Sequence, residues 1–182
     1  MSTPKQIFYL IIVLFLMANL LPAATETIEK SFQVKPGGNL YLDSDIGSIR
    51  VETSGKTLVE VQVIQEFRGW DRDKIDEFLE DFTVEFDQSD NEIEIIGKLR
   101  REWKSGWWDD LKVEYVIKVP VQFNVDLNTS GGSISVEDLE GEADAHTSGG
   151  SLSFGNITGK VSGHTSGGSI RLEGSRGDAY LR

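Results

Sequence analysis

The pentapeptide Thr-Ser-Gly-Gly-Ser occurs at 129–133, 147–151 and 165–169, at a constant interval of 18 residues. A period this short restricts the chain to stacking like units, because one unit alone cannot bury its apolar face and must cover it with its neighbours. After the motif come Ile134, Leu152 and Ile170, then, two residues on, Val136, Phe154 and Leu172. Such alternation places them on one side of a strand. Later in each unit Gly141, Gly159 and Gly177 precede Ala143, Val161 and Ala179, then Ala145, Gly163 and Leu181, a second and shorter alternating strand. The units therefore predict an all-β-dominated fold, a parallel β-solenoid (β-helix) of 18-residue two-strand coils. The frame extends upstream: Leu40/Leu42 matches Val125/Leu127, and Gly47-Ser48-Ile49-x-Val51 matches Gly132-Ser133-Ile134-x-Val136.

At the Gly-Gly turns glycine is expected because the chain reverses tightly and glycine takes positive φ without steric cost. The neighbouring Thr and Ser hydroxyls can ladder along the stack or bond the turn backbone. A calcium-binding repeat would need aspartates in the Gly-rich turns, and these turns have none.

Between Lys56 and Pro120 the pattern changes. Thr57 to Phe67 alternates as a strand; Ile75, Phe78, Leu79 and Phe82 fall at helical spacing in Asp71 to Phe82, with Asp71 or Asp73 as cap. Thr83 to Phe86, Glu92 to Lys98 and Lys112 to Val119 alternate as three more strands. This reads as a small α+β insertion, a cap with one helix. The expected organisation is a signal peptide at 1–24, first strands and coil at 25–55, the cap at 56–120, and repeats at 121–182 (129–146, 147–164, 165–182). The order of Phe32-x-Val34-x-Pro36-Gly37-Gly38-x-Leu40, a charged helix, a hairpin, Val119-Pro120-Val121 and then Asn128-Thr129-Ser130-Gly131-Gly132-Ser133-Ile134 resembles the putative adhesin family of bacterial β-strand-repeat domains. The resemblance implies an envelope or surface β-solenoid and supplies no catalytic residues.

The chain opens with one lysine and an apolar run from Ile7 to Leu21, followed by Pro22, Ala23 and Ala24, the layout of an export signal cleaved near Ala24. An uncleaved membrane anchor is the alternative; either places the domain outside the cytoplasm. The net charge is −12, and removing the segment takes away only Lys5, leaving −13. So acidic a chain repels nucleic acid and anionic lipid. With no cysteine it has no disulfide, thiolate metal site or cysteine nucleophile.

Few residues offer chemistry. His146 and His164 occupy equivalent positions and should stack, in a polar outward column with Asn128 and Arg182, yet two ligands fall short of what zinc takes. Ser130, Ser148 and Ser166 are copies of a turn, not one activated nucleophile. The carboxylates of 71–94 read as a solvated face, and no spacing singles out a glycosidase pair. Glu137, Asp138, Glu140, Glu142 and Asp144 become Gly155, Asn156, Thr158, Lys160 and Ser162 one unit later, so no acidic ladder is expected along the repeats. Trp103, Trp107 and Trp108 are the candidate contact for a partner, unless, with Trp70, they close the apolar end under the cap. Ile170, Leu172, Ala179 and Leu181 form a candidate assembly edge on the last coil. The expectation is an exported, non-catalytic binding or scaffolding module without cofactor or metal, taking a protein or glycan partner at the cell surface. A self-assembling envelope-stress component and a polysaccharide-active enzyme are the alternatives.

Overall fold

Alternation of apolar and polar residues runs through nearly every segment of the computed structural model, which describes residues 24–101 and 108–182. The strands it produces are β1 (Ala24–Gln33), β2 (Gly38–Ser44), β3 (Ser48–Ser54), β4 (Leu58–Phe67), β5 (Phe82–Ser89), β6 (Glu92–Leu99) and β7 (Leu111–Pro120). There follow β8 (Phe123–Thr129), β9 (Ile134–Val136), β10 (Ala143–Thr147), β11 (Leu152–Ile157), β12 (Val161–Thr165), β13 (Ile170–Ser175) and β14 (Ala179–Leu181). One helix, α1 (Arg72–Asp81), lies between β4 and β5, its first turn capped by the Asp71 carboxylate accepting from the Lys74 N–H at 2.9 Å. The expected 1–24 leader lies outside the described residues apart from Ala24, and no helix among the described residues is long and apolar enough to cross a membrane.

Two seven-stranded sheets face each other, in the orders β1-β4-β7-β3-β9-β11-β13 (sheet A) and β14-β12-β10-β8-β2-β6-β5 (sheet B). The core lies between them. Leu40, Leu42, Ile93, Ile95 and Leu127 from sheet B meet Ile49, Val51, Val61, Tyr115, Ile117 and Phe154 from sheet A, all essentially inaccessible. Each fully buried aliphatic of this kind stabilises the fold by about 1.5–3 kcal/mol.

The expectation of a parallel β-solenoid carrying a separate α+β cap is overturned. Both sheets are mixed, neither closes, and β1–β4, β4–β7 and β5–β6 pair antiparallel. The 56–120 segment is no lid: β4 and β7 extend sheet A, while β5 and β6 extend sheet B. The physical reason is that Val59, Val61 and Val63 on β4 and Val113, Tyr115 and Ile117 on β7 carry the same one-sided apolar face as β3, so adding them to the layer buries it. The helix stands outside the sheets and seals one end of the core with an aromatic cluster: Phe78 lies 5.6 Å from Phe67, 5.9 Å from Trp70 and 5.5 Å from Phe82.

The repeat sets register. Residues 18 apart are parallel neighbours, Ala143 beside Val161 and Leu152 beside Ile170, and the matched upstream residues pair likewise, Ile49 with Ile134 and Leu40 with Val125. The turns differ from expectation in one respect. Gly132 has φ +137°, but Gly150 and Gly168 do not enter the positive-φ region. What excludes a side chain at these three is stacking: a Cβ on Gly132, Gly150 or Gly168 would overlap the carbonyl of Gly47, Gly132 or Gly150 respectively. The first glycine of each motif is unconstrained, since a Cβ on Gly131 meets nothing within 4 Å and one on Gly149 only Ser130 O at 3.7 Å. The threonines lock the column. Thr129, Thr147 and Thr165 donate their hydroxyls to the carbonyls of Gly47, Gly132 and Gly150 at 2.9, 2.8 and 2.6 Å. Beside them the Ser151 and Ser169 N–H groups donate to the Ser133 and Ser151 hydroxyls at 3.1 and 3.2 Å.

One polar knot sits inside the core. The Tyr115 hydroxyl and Ser44 Oγ are 2.8 Å apart, Ser44 Oγ donates to Ile46 O at 2.7 Å, and Gly97 leaves the space both hydroxyls occupy. Burial pushes the Tyr115 phenol far above its ordinary 10.0, with the Ser44 bond opposing and Asp45 and Asp43 adding. A phenol whose proton is held more tightly in the folded state contributes stability that is intact below pH 10.0 and is lost as pH climbs beyond it. Thermal melts from pH 8 to 12 are expected to show a steep fall above about pH 10, and a much shallower one in Tyr115→Phe.

Candidate functional site

The outward faces of the two sheets carry opposite kinds of charge pattern. On sheet A, cations and carboxylates sit beside one another within and across strands and neutralise one another: Arg50–Glu114 3.0 Å, Lys112–Glu114 2.7 Å, Lys118–Glu52 3.7 Å and Lys56–Glu60 3.1 Å. Lys112 and Arg50 hold the Glu114 carboxyl below its usual range, burial opposing.

On sheet B the strand register aligns Ser162, Asp144, Asp126, Tyr41, Glu94 and Asp87 in one row across β12, β10, β8, β2, β6 and β5. Adjacent members of such a row are about 4.8 Å apart from strand to strand. Together with the flanking row they line a half-open groove of about 650 Å³. Its carboxylates are Asp87, Glu92, Glu94, Asp126, Glu142 and Asp144, and Lys160 is its one cation among the described residues. None of the six forms an ion pair among the described residues. Their contacts are neutral: Asn128 Nδ2 donates to Asp126 at 3.0 Å, and Asn124 bridges Asn39 and the Glu142 N–H, both at 2.9 Å. Lys98, whose charge reaches the Tyr41 phenol, is already engaged by Asp43 at 2.6 Å and Asp45 at 3.4 Å.

Like charges set opposite each other on neighbouring strands cost stability. The Asp126 carboxyl shows it. Burial raises its proton affinity first, then Asp144 and Asp43, against the Asn128 bond. The Tyr41 phenol at the floor is likewise raised, by burial and then by Asp43, Asp126 and Glu94.

Of the residues singled out from sequence, Trp103 and Trp107 lie outside the described residues, as does the side chain of Trp108, whose backbone begins a short 3-10 turn at Trp108–Asp110. Trp70 is half-buried against Phe67 and Phe78, with Lys74 Nζ 3.8 Å from its ring centre. Ile170 and Leu172 are half-buried at the end of the core on β13, while Ala179 and Leu181 are exposed on β14. His146 and His164 do stack, ring centres 4.9 Å apart and planes 15° apart, but no group of three or more His, Cys, Asp or Glu among the described residues could hold a metal ion. Sequence reasoning expected no acidic ladder along the repeats and missed the row that runs from Asp144 through Asp126 into β2, β6 and β5. Asp126 and Tyr41 join it because β8 and β2 are neighbours, and Glu94 and Asp87 because β6 and β5 continue the sheet. The signal was present in the matched frame of Leu40–Leu42 and Val125–Leu127, which puts Tyr41 beside Asp126.

No family model and no curated protein matches this sequence. Among solved structures, the chain is similar to a putative cell adhesion protein from Clostridium sporogenes (TM-score 0.44, 8% identity, 83% of this chain and 100% of that one). It is also similar to a putative adhesin from Bacteroides fragilis (0.28, 14%, 86% and 97%) and one from Parabacteroides distasonis (0.41, 13%, 86% and 70%). These structures bear the adhesin name, and the repeat family the motifs resemble has no matching model. All three TM-scores fall short of one half, and the functional reading rests on this chain's own surface.

Proposed function

We propose that this chain is an exported, non-catalytic binding module whose sheet B face holds a cationic partner, a Lys- or Arg-rich segment of another protein at the cell surface. The observation that carries the reading is the row of unpaired carboxylates on sheet B, set against a sheet A face on which Arg50, Lys112 and Lys118 pair with Glu114 and Glu52. A solvated surface chosen only for stability would resemble sheet A. On sheet B the repulsion is retained, and a cation lying along the groove would relieve it. The signal-like N-terminus supports export.

The test is a titration with a Lys/Ser peptide, comparing the native chain with Asp126→Asn/Asp144→Asn. At low salt the variant should bind at least about tenfold more weakly, and native affinity should fall steeply as salt shortens the screening length from about 30 Å at 0.01 M to 8 Å at 0.15 M. The same variant should melt higher than the native chain. A folded-state carboxyl with raised proton affinity contributes stability below its ordinary 3.8 that is lost as pH rises, so at neutral pH the ionised group is a cost the amide removes. Equal binding by both proteins, or turnover of a glycan panel, would sink the proposal.

A further inference from the structure

The two ends of the layered core are built differently. At the β1/β5 end, α1 covers the core, Arg72 pairs with Glu26 at 3.0 Å, and Phe32 meets Phe86 at 6.4 Å between ring centres. At the other end, the outer edges of β13 and β14 have no strand partner among the described residues. Ile170 and Leu172 are only half-buried there, whereas Leu152 and Phe154, their counterparts one unit earlier, are fully covered from both sides. Of the three large apolar residues that are exposed among the described residues, two are on β14: Tyr180 at 59% and Leu181 at 39%. No lysine or proline, the usual guards of a free edge, occurs in 170–182.

We propose that these two edges pair with the same two edges of a second copy, forming a closed two-fold dimer. The occupant is argued from charge. In an antiparallel β13–β13 pairing centred on Leu172, Arg171 of each copy stands opposite Glu173 of the other, so two opposite-charge pairs form on the outward face of sheet A. Centring the pair on Arg171 or Glu173 instead would set like charges against each other. The same rotation brings β14 against β14, covering Tyr180 and Leu181, and joins the half-buried ends of the two cores. An isologous contact of this kind closes after two copies, because both partners contribute the same β13 and β14 edges to it. The proposal involves other residues than the acidic groove and stands or falls separately from it.

The chain has no cysteine, so the register can be read directly on the full-length protein. Arg171→Cys/Glu173→Cys should trap a reducible dimer on oxidation, while each single variant, whose thiols are not opposed, should trap at least about tenfold less. Light scattering should show the native chain moving from one copy to two with concentration. Glu173→Arg should weaken that association at least about tenfold, and Arg171→Glu/Glu173→Arg should restore it. A mass that stays at one copy, a mass that grows without limit, or equal trapping by single and double variants each overturns the proposal.

Discussion

Gly150→Ala is expected to lower the melting temperature by about 6–12 °C, the effect of about 3 kcal/mol in a chain of this size, while Gly149→Ala leaves it unchanged or slightly raised. The two glycines are adjacent and belong to the same turn, so propensity alone would treat them alike. A Cβ on Gly150 would be driven into the Gly132 carbonyl and crowd the Ser133 N. The overlapped atoms are backbone, so nothing can swing away, and the carbonyl is also the acceptor of the Thr147 hydroxyl at 2.8 Å. Relief would require the two units to separate, breaking that bond and stretching the parallel ladder. At Gly149 the added methyl meets only Ser130 O at 3.7 Å, and a less flexible unfolded chain is worth about 0.4–1 kcal/mol. Paired thermal melts decide the matter; similar losses in both variants would show that turn conformation, not stacking, selects glycine here.

The second large loss is expected at Gly97→Ala, again about 3 kcal/mol or more, with a distinctive rescue. Its Cβ would overlap the Tyr115 hydroxyl and Ser44 Oγ. The Tyr115 ring is fully buried and cannot turn aside, and Ser44 is held by Ile46 O. Tyr115→Phe by itself should cost about 1 kcal/mol, the net worth of a buried hydrogen bond whose other partner keeps a second bond. Combined with Gly97→Ala it removes one of the two overlapped atoms, so the double variant should be more stable than the sum of the single losses by about 1 kcal/mol or more. Strict additivity in chemical denaturation would show that the two residues do not share this space.

How much of this was legible beforehand varies with the physics. The period gave the pairing partners of β8 to β14, because a parallel ladder with equal units has one register that keeps Ile134, Leu152 and Ile170 on the same side. The motif match gave β2 and β3 the same neighbours. Each strand of 56–120 was also readable as a strand. Its placement was not, since alternation says which face of β4 or β7 is apolar but not which layer will receive it. That depends on long-range fit: β7 lies between β3 and β4, so residues near 50 and 116 become neighbours across a stretch holding a helix and a hairpin. The acidic row was hidden for the same reason, being assembled from six strands, two of which, β5 and β6, lie within that stretch. The glycines were correctly singled out for an incomplete reason, since positive φ accounts for Gly132 and not for Gly150 or Gly168.

The threonine column has a direction. Each hydroxyl belongs to the later unit and each accepting carbonyl to the earlier one, from Gly47 through Gly132 to Gly150. Gly168 stacks on the Gly150 carbonyl as Gly150 stacks on that of Gly132. A gene duplication that inserted another whole 18-residue segment would therefore find its acceptor already in place and would leave every upstream bond as it was. An insertion of another length would put the apolar alternation and the stacked turn out of step with the neighbouring units. The lengths open to descendants of this sequence thus rise in whole steps, and the growth point is the face away from the helix.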